Sequence, residues 1–296
     1  ERSLSPYYNW SFRWAHKVSE KFAFKLTSEF IQAQDWLADD YRNYNRFGTT
    51  GSIVPGTRDT DPNYDGVNVY GDETTTNLRS VLDQIGQQVP FWQSYINSLP
   101  ANIPVSRTGY TEKEVTDPNT IDYKLSGALQ YKITNNLEAI LEGFWGTGNT
   151  VYTGSQRYSL KDLKMAQYKL ELKAKNWFLR GYTTQENAGQ SHNLTVTTQL
   201  FNEAWKPSTT WYPQYAFAYI NAKMAGSSDI DAHNIARATA DQGRPVAGSD
   251  QFRNLFDQVR KLPIPQGGLF LDKTDLWMVE GQYNLSSAIK FADLIV

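Results

Sequence analysis

The chain has 296 residues, a formal net charge of −2 at pH 7 and no cysteine, and aromatic residues make up 14% of it. The missing cysteine excludes disulfide bonds, thiol catalysis and cysteine-ligated zinc, and the near-neutral charge argues against a nucleic-acid surface. The mean hydropathy is −0.56 and no apolar run is long enough for a transmembrane helix. A membrane-spanning strand tolerates such polarity, because only every second residue meets lipid.

The first predicted element is a long β-hairpin from Asn9 to Trp36. An apolar side chain recurs at every second position of each arm: Trp10, Phe12 and Trp14, then Phe22, Phe24, Leu26 and Phe30. This period of two is typical of a strand with one apolar face. Soluble strands average about five or six residues, whereas a tilted membrane-spanning strand needs about nine to eleven. The second arm is long enough to cross a bilayer.

A long polar connection, Leu37 to Ile121, follows the hairpin, and helical spacing of apolar residues predicts one short amphipathic helix in it, at Leu78–Ile85 before Pro90. Strands resume with DYKLSGALQYKI and LEAILEGFWGTGNTVYT. A loop from Gly154 to Met165 then leads to the strands QYKLELK and WFLRGYTTQ.

A second long connection, Glu186 to Leu271, contains two further predicted helices. One begins at Ser228 and ends at Gly243, and the other begins at Ser249. The last predicted hairpin consists of DLWMVEGQYNL and the closing DLIV, which ends in mid-strand. The predicted fold is all-β, with about eight antiparallel strands and long loops that contain short helices.

The predicted connections alternate between short turns and longer loops, so the longer ones lie at one end of the strands. Outer-membrane β-barrels have this asymmetry, with short periplasmic turns and long extracellular loops. They also carry aromatic residues where the wall meets the two membrane interfaces. The strand ends supply such residues, although aromatics are also good strand formers: Trp10, Trp36, Tyr123, Trp145, Tyr152, Trp177, Trp277 and Tyr283.

Several longer runs are similar to one known family. They are FRWAHKVSEKFAFKL with QDWLADDY, PNYDGVNVYGDE, SRTGYTEKEV, TGNTVYTGSQRYSLKD, FLRGYTTQENAG, ARATADQGR and DKTDLWMVEGQYNLSS. In this order they resemble the barrel region of Bacteroidetes-type TonB-dependent receptors. Within these, they resemble the group that carries a carboxypeptidase-regulatory-like domain ahead of the plug.

This resemblance implies a 22-strand transmembrane barrel in the bacterial outer membrane, with an internal plug and a segment that contacts TonB. Residues 1–296 hold no recognisable plug, TonB-contact segment or signal peptide. We therefore expect residues 1–296 to be part of one barrel domain, with TonB contacted through segments outside this chain. The expected partners are outer-membrane lipid, a small-molecule or oligomeric ligand and a surface lipoprotein, and nucleic acid is not expected.

Catalysis finds little support in the sequence, and we do not expect an enzyme. The three histidines, His16, His192 and His233, show no spacing that indicates a metal cluster or a Ser/His/Asp set. One motif fits a calcium loop, with oxygen-bearing residues at alternate positions around a glycine. Its ligands would be Asp61, Asn63, Asp65 and Asp72, against the alternative of an ordinary Asn/Asp/Gly-rich turn.

Aromatic residues in the two long connections are candidates for ligand binding, since exposed rings stack on sugars or fill a partner's pocket. The alternative is that they form small cores that keep the loops folded. These residues are Trp92, Tyr95, Trp205, Trp211, Tyr212 and Tyr215.

The function that we expect is import of a scarce siderophore, oligosaccharide or peptide through the outer membrane, with the two long loops as the extracellular capturing face. One alternative is a soluble carbohydrate-binding or hydrolysing β protein. Another is a surface receptor or scaffold that does not transport its ligand.

Overall fold

The computed structural model describes residues 4–46, 51–286 and 289. Its main feature is a fully antiparallel sheet in which seven long strands, here β1 to β7, lie side by side in chain order. The strands are β1 Tyr8–Lys17, β2 Phe22–Gln34, β3 Asn119–Thr134, β4 Leu137–Thr153, β5 Arg157–Ala174, β6 Trp177–Asn187 and β7 Lys273–Tyr283. A short strand, His192–Asn193, adds to β5, and the sheet formed by the described residues is open. The predicted last strand DLIV lies outside the described residues.

The strands are unusually long, and the two long connections leave the same end of the sheet, as predicted. The β4–β5 connection at that end is, however, a short turn of residues 154–156. Strands β2 to β5 contain 13, 16, 17 and 18 residues. Short turns at residues 18–21, 135–136 and 175–176 join the strands at one end. At the other end, residues 35–118 link β2 to β3 and residues 188–272 link β6 to β7.

The predicted loop from Gly154 to Met165 was wrong, because most of it is strand. Strand β5 begins at Arg157, and Arg157–Leu163 pair with Gly148–Thr153 of β4 across a register shift between Gly148 and Thr150. Asp162 adopts a positive φ of 55° at this irregularity. Because the alternation of apolar and polar residues is interrupted near Asp162, the sequence pattern did not predict this strand pairing.

One face of the sheet is apolar on every strand and nothing in the described part of the chain covers it. Residues opposite each other in paired strands share a face, and one such row runs through Phe24, Leu129, Leu141, Leu170 and Val279. Leu141, Leu170 and Val279 are 50%, 55% and 76% exposed. The face includes Trp10, Phe12 and Trp14 of β1, which confirms the predicted alternation of the first hairpin.

The opposite face is polar and held by ion pairs between neighbouring strands. Lys169 of β5 lies 2.9 Å from Glu142 of β4 and 3.3 Å from Glu171. Glu171 also pairs with Arg180 of β6, which reaches Glu280 of β7. This charge ladder spans four strands.

Residues 35–118 and 188–272 contain all the helices of the described chain. The first connection holds α1 Leu78–Gln88, α2 Pro90–Ser98 and α3 Glu112–Val115. The second holds α4 Leu194–Trp205, α5 Ser208–Met224, α6 Asp229–Ala240 and α7 Asp250–Arg260. The predicted helices at Leu78, Ser228 and Ser249 are confirmed, and both serines cap their helices through their side chains. No helix of the described residues is long and apolar enough to span a membrane.

The two connections fold together into one structure, which we call the loop body. Its larger core joins Leu78, Leu82 and Ile96 of the first connection to Trp211 and Tyr215 of the second, with further residues of both. Its smaller core joins Tyr70 and Tyr110 to Phe201, Phe252 and Phe256. Large aromatic side chains, among them Trp211, Tyr110 and Phe201, are fully buried in these cores.

Candidate functional site

The loop body sits at the end of the sheet from which both long connections leave, and buried arginines tie its two halves together. The Arg107 side chain is 1% exposed and donates to the carbonyl oxygens of Asn202 and Lys206, at 3.2 and 3.0 Å. It also donates to the Glu203 carboxylate at 3.2 Å. Its guanidinium lies 5.1 Å from the ring centre of Trp211, within cation–π distance.

Arg237 makes the same kind of bridge in the opposite direction. From α6 it donates to the carbonyl oxygens of Ser106 and Pro62, both at 2.9 Å. Arg244 donates to the carbonyl oxygen of Gly109 at 2.6 Å and lies 3.6 Å from the ring centre of Tyr110. A planar guanidinium with five donors suits such backbone bridges better than an ammonium group does.

A buried glutamate fastens the loop body to the sheet. Glu112 is fully buried and accepts from the Ala38 backbone N–H at 2.9 Å and the Tyr70 hydroxyl at 2.8 Å. It also accepts two hydrogen bonds from Arg157 at the start of β5, at 3.1 and 2.7 Å. This fork of two charge-assisted bonds fixes the orientation of the loop body relative to the strands.

The predicted calcium loop is occupied in part by protein donors. Asp61 accepts from the Asn43 side chain at 2.7 Å and from the Asn63 backbone N–H at 2.8 Å. Asp65 pairs with Arg46 at 2.6 Å. These bonds occupy both oxygens of Asp61 and Oδ2 of Asp65, whereas Asp65 Oδ1 and Asp72 Oδ1 are buried without a hydrogen-bond partner.

Asp72, the fourth residue of that motif, is fully buried beside an arginine. It accepts from Arg58 at 3.2 Å and from the Gly66 backbone N–H at 3.0 Å, both through Oδ2. Burial raises the pKa of Asp72 to about 6 and the pKa of neighbouring Glu73 to about 7. No three His, Asp or Glu side chains converge on a metal position within residues 4–46, 51–286 and 289. A calcium ion at this loop stays a prediction, which calorimetry with and without a chelator tests.

The six loop aromatics differ in exposure, and three of them form part of a core, as in the alternative of small cores that keep the loops folded. Trp211 and Tyr215 are fully buried and Tyr212 is 6% exposed, because all three lie on the inner side of α5. Trp92, Tyr95 and Trp205 are half-buried against the same core. Of the six, Trp92 contacts an exposed ring, that of Phe217, which the sequence analysis did not single out.

The histidines lie apart from one another. His16 is on the exposed first strand. His192 lies near α7, where burial lowers its pKa to about 4. His233 on α6 accepts or donates a 2.9 Å hydrogen bond with the Tyr215 hydroxyl, and burial lowers its pKa to about 4 as well. Both buried rings are therefore neutral at pH 7 and serve as packing groups.

A hollow of about 1120 Å³ lies along the sheet at the end nearer the loop body. Many of its lining side chains belong to the polar face, with hydroxyl groups from Thr27, Ser126 and Thr184 and apolar groups from Phe144 and Met165. Neighbouring Gly146 and Gly148 carry no side chain to fill it. The periodicity of β4 was blurred by Phe144, so this mixture was not evident from the sequence.

A comparison with protein-family models finds none that matches this chain, and a comparison with curated proteins finds no match either.

Proposed function

We propose that this chain is part of the wall and the outer loops of a TonB-dependent importer in the bacterial outer membrane. The observation that carries the proposal is the uncovered apolar face of the long-stranded sheet. A soluble protein rarely exposes a contiguous apolar patch larger than a few hundred Å². Contact with lipid would remove this apolar face from water.

The dimensions of the apolar face support this proposal. On β3 it extends over 11 residues, from Tyr123 to Ile133, which is a strand length that crosses a bilayer, and on β7 it extends over seven, from Trp277 to Tyr283. On β7 aromatic residues stand at both limits, and on β3 Tyr123 stands at one limit, as at the interfaces of outer-membrane barrels.

The limit of the apolar face at the end nearer the loop body runs obliquely across the sheet. Following the paired residues from Trp10 on β1 leads to Lys273 on β7, whereas the first aromatic residue of β7 is Trp277. A membrane plane crosses hydrogen-bonded rows obliquely when the strands tilt against its normal. Tilted strands are a requirement of a closed barrel, and we propose that these strands belong to a larger one of 22 strands.

In this proposal the charge ladder and the hollow face the barrel interior, and the loop body forms the extracellular surface that captures the ligand. The short turns lie on the periplasmic side. A plug and a TonB-contact segment, both outside this chain, would couple capture to import of a siderophore, oligosaccharide or peptide.

Single-cysteine labelling tests the two faces at equal height, since the chain has no native cysteine. Tyr168 and Gln167 are exposed neighbours on opposite faces of β5. We expect an environment-sensitive fluorophore on Tyr168→Cys to shift to the blue in phospholipid vesicles and to be quenched by nitroxide-labelled lipid. The matched label on Gln167→Cys should show neither effect.

Equal responses from the two labels, or a protein that stays monodisperse in buffer without detergent, would overturn the membrane assignment. The second outcome would favour the soluble carbohydrate-binding or hydrolysing protein. A surface receptor that does not transport shares the same geometry, and survival of ligand uptake after deletion of the gene would identify it.

A further inference from the structure

Two glycines leave a hollow of about 400 Å³ in the apolar face of the sheet. Gly127 of β3 and Gly143 of β4 lie opposite each other, so two neighbouring positions of this face carry no side chain. The side chains around them belong to the same hydrogen-bonded row and the next one: Leu26, Leu129, Leu141 and Tyr168. The two glycines and these four side chains are the glycine notch.

The floor of the glycine notch is open toward the outside of the sheet. A β-carbon at Gly127 would meet only the Lys25 carbonyl oxygen, at 3.7 Å. A β-carbon at Gly143 would lie 3.4 Å from the Tyr168 ring, so this ring stands along one side of the notch and leaves Gly127 uncovered. Apart from the Tyr168 hydroxyl, the four surrounding side chains offer only carbon atoms. The ligand that suits such a surface is a hydrocarbon chain.

The glycine notch lies inside the apolar face, in the half nearer the loop body. Gly127 is four residues from Tyr123 at that end and six from Ile133 at the other. Gly143 is two residues from Trp145. At about 3.3 Å per residue, the notch begins roughly 7–13 Å along the strands from the aromatic limit. Acyl chains occupy this depth of a bilayer, below the polar headgroups.

Two lysines stand on the same face between the notch and the loop body. Lys164 of β5 and Lys273 of β7 share one row with Asn187 of β6, which places the two lysines two strand spacings, about 10 Å, apart. Lys164 is four residues from Tyr168 along β5. Both lysines are exposed, and neither has a side-chain partner among the residues that the structure describes. Their ammonium groups are free to bind a phosphate at the level of the headgroups.

One carboxylate lies close to this pair on the same face. Asp275 is two residues from Lys273, on the side toward Trp277. At the equivalent place beside Lys164 the same row carries Ala166, a small apolar residue. A lipid that passes from the lysines to the notch along β5 therefore avoids the carboxylate, and its phosphate lies nearer Lys164 than Lys273.

We propose that this part of the wall holds a phosphorylated acyl lipid, with its phosphate on Lys164 and Lys273 and one acyl chain in the glycine notch. Both features lie toward the loop body, so the lipid belongs to the outer leaflet and is lipid A. The inference rests on the proposed function, because it places the apolar face in an outer membrane. It goes further by distinguishing one held lipid from the mobile chains that cover the rest of this face.

Native mass spectrometry tests the inference on the full chain, released from detergent micelles that contain equimolar lipid A and phosphatidylethanolamine. We expect a single lipid A to stay bound. Gly127→Leu should reduce the bound fraction about tenfold, because its side chain displaces about two methylenes of the acyl chain. Gly181→Leu is the matched control and should bind like the wild type, since Gly181 lies on the same face, between Leu170 and Val279, and outside the notch.

The phosphate contact is tested by changing both lysines, Lys164→Gln with Lys273→Gln. We expect lipid A binding to weaken about tenfold, because charge-assisted hydrogen bonds to the phosphate are lost. Lys132→Gln, on the polar face of β3, should have no effect. The melting temperature of Gly127→Leu in lipid-free micelles should not fall, because a β-carbon fits at this position without a clash. Lost binding is thereby separated from lost folding.

Five outcomes would overturn the inference: no lipid bound to the wild type, equal losses for Gly127→Leu and Gly181→Leu, unchanged binding by the double lysine variant, preferential binding of phosphatidylethanolamine, or a dimer of the chain that Gly127→Leu dissociates. The last would make a second copy the occupant of the notch.

Fluorophores on Tyr168→Cys and Gln167→Cys separate failure of this inference from failure of the importer. If they report lipid on one face while no lipid A stays bound, the lipid site alone is lost. If lipid A binds as expected while ligand uptake survives deletion of the gene, the lipid site stands and the importer does not.

Discussion

Buried arginines hydrogen-bond the two long connections to each other. Arg107 and Arg237 each donate to backbone carbonyls of the other connection, so their bonds do not depend on the side chains there. Backbone acceptors left without a donor in a buried site cost about 1–3 kcal/mol each. The loop body is therefore sensitive to the shape of these side chains as well as to their charge.

Two replacements of Arg107 should distinguish the contribution of the guanidinium's shape to stability from that of its charge. We expect Arg107→Ala to lower the free energy of unfolding of the loop body by about 3 kcal/mol, because it removes the buried donor to the Lys206 carbonyl and one of two donors to the Asn202 carbonyl. Glu203 keeps its bonds from Ser208. Arg107→Lys should recover less than half of this loss, since an ammonium group cannot reach all acceptors at once. Hydrogen exchange of the α4 and α5 amides measures both variants. Full rescue by lysine would show that charge alone matters.

Asp72 makes the stability of the loop body depend on pH. Its pKa is raised to about 6 when folded, from 3.8 for an unperturbed aspartate, so the folded chain holds the extra proton between these values. The free energy of unfolding therefore falls as the pH rises from about 4 to about 6, by about 3 kcal/mol from this residue. Glu73 extends the fall to about pH 7.

Asp72→Asn tests this pH dependence, because an amide can still accept from Arg58 and Gly66 without ionising. We expect the difference in unfolding free energy between variant and wild type to shift in favour of the variant from pH 4 to pH 8. Urea unfolding at constant ionic strength gives this difference. A difference independent of pH would show that Asp72 is ionised throughout.

At the scale of the elements, most of the strands were predictable and four of the seven helices were not. Alternation is read from neighbouring residues, so Trp10 to Trp14 or Tyr168 to Leu172 reveal a strand without knowledge of its partners. Helices α1, α6 and α7 have apolar spacing or side-chain caps that the sequence shows. Helix α4 begins LTVTT, whose β-branched residues favour strands, and α5 contains Pro213, which usually marks a helix end.

The candidate site was predictable only in part, because it is made by contacts between residues far apart in the chain. Trp92 was visible as a loop aromatic, but Trp211 and Tyr215 looked the same until the core of the loop body buried them. The contact between the Phe217 and Trp92 rings joins two helices from different connections. Such pairings are set by tertiary packing, which local periodicity does not encode.

The junction between loop body and sheet can be tested by a double-mutant cycle on Glu112 and Arg157. We expect Glu112→Ala to cost about 3–5 kcal/mol, because it removes the carboxylate that accepts from the Ala38 N–H and the Tyr70 hydroxyl, and leaves Arg157 only the Trp36 carbonyl and the Thr153 hydroxyl as acceptors. Adding Arg157→Ala should restore part of that loss, which gives a coupling energy of about 1–3 kcal/mol. Unfolding in urea, followed by tryptophan fluorescence, measures the cycle. Strictly additive losses would mean that the pair does not hold the two parts together.

At the scale of the whole molecule, the two faces of the sheet should respond differently to the same added charge. Leu170→Arg places a guanidinium in the middle of the apolar face and should cost about 2–4 kcal/mol in a bilayer. Gln167→Arg places the same group on the polar face of the same strand and should cost less than about 1 kcal/mol. Folding titrations in phospholipid vesicles compare the two, and equal costs would argue against lipid on the Leu170 side.

The shared core of the loop body has a mechanical consequence. Residues 35–118 leave the sheet between β2 and β3, and residues 188–272 leave it between β6 and β7, yet Leu82 and Trp211 belong to one cluster. The shared core therefore links the two connections across strands β3 to β6. A change in the distance between the β2–β3 end and the β6–β7 end of the sheet would require this core to separate. The hydrophobic core of the loop body therefore holds strands β2 to β7 in place together with the hydrogen bonds between the strands.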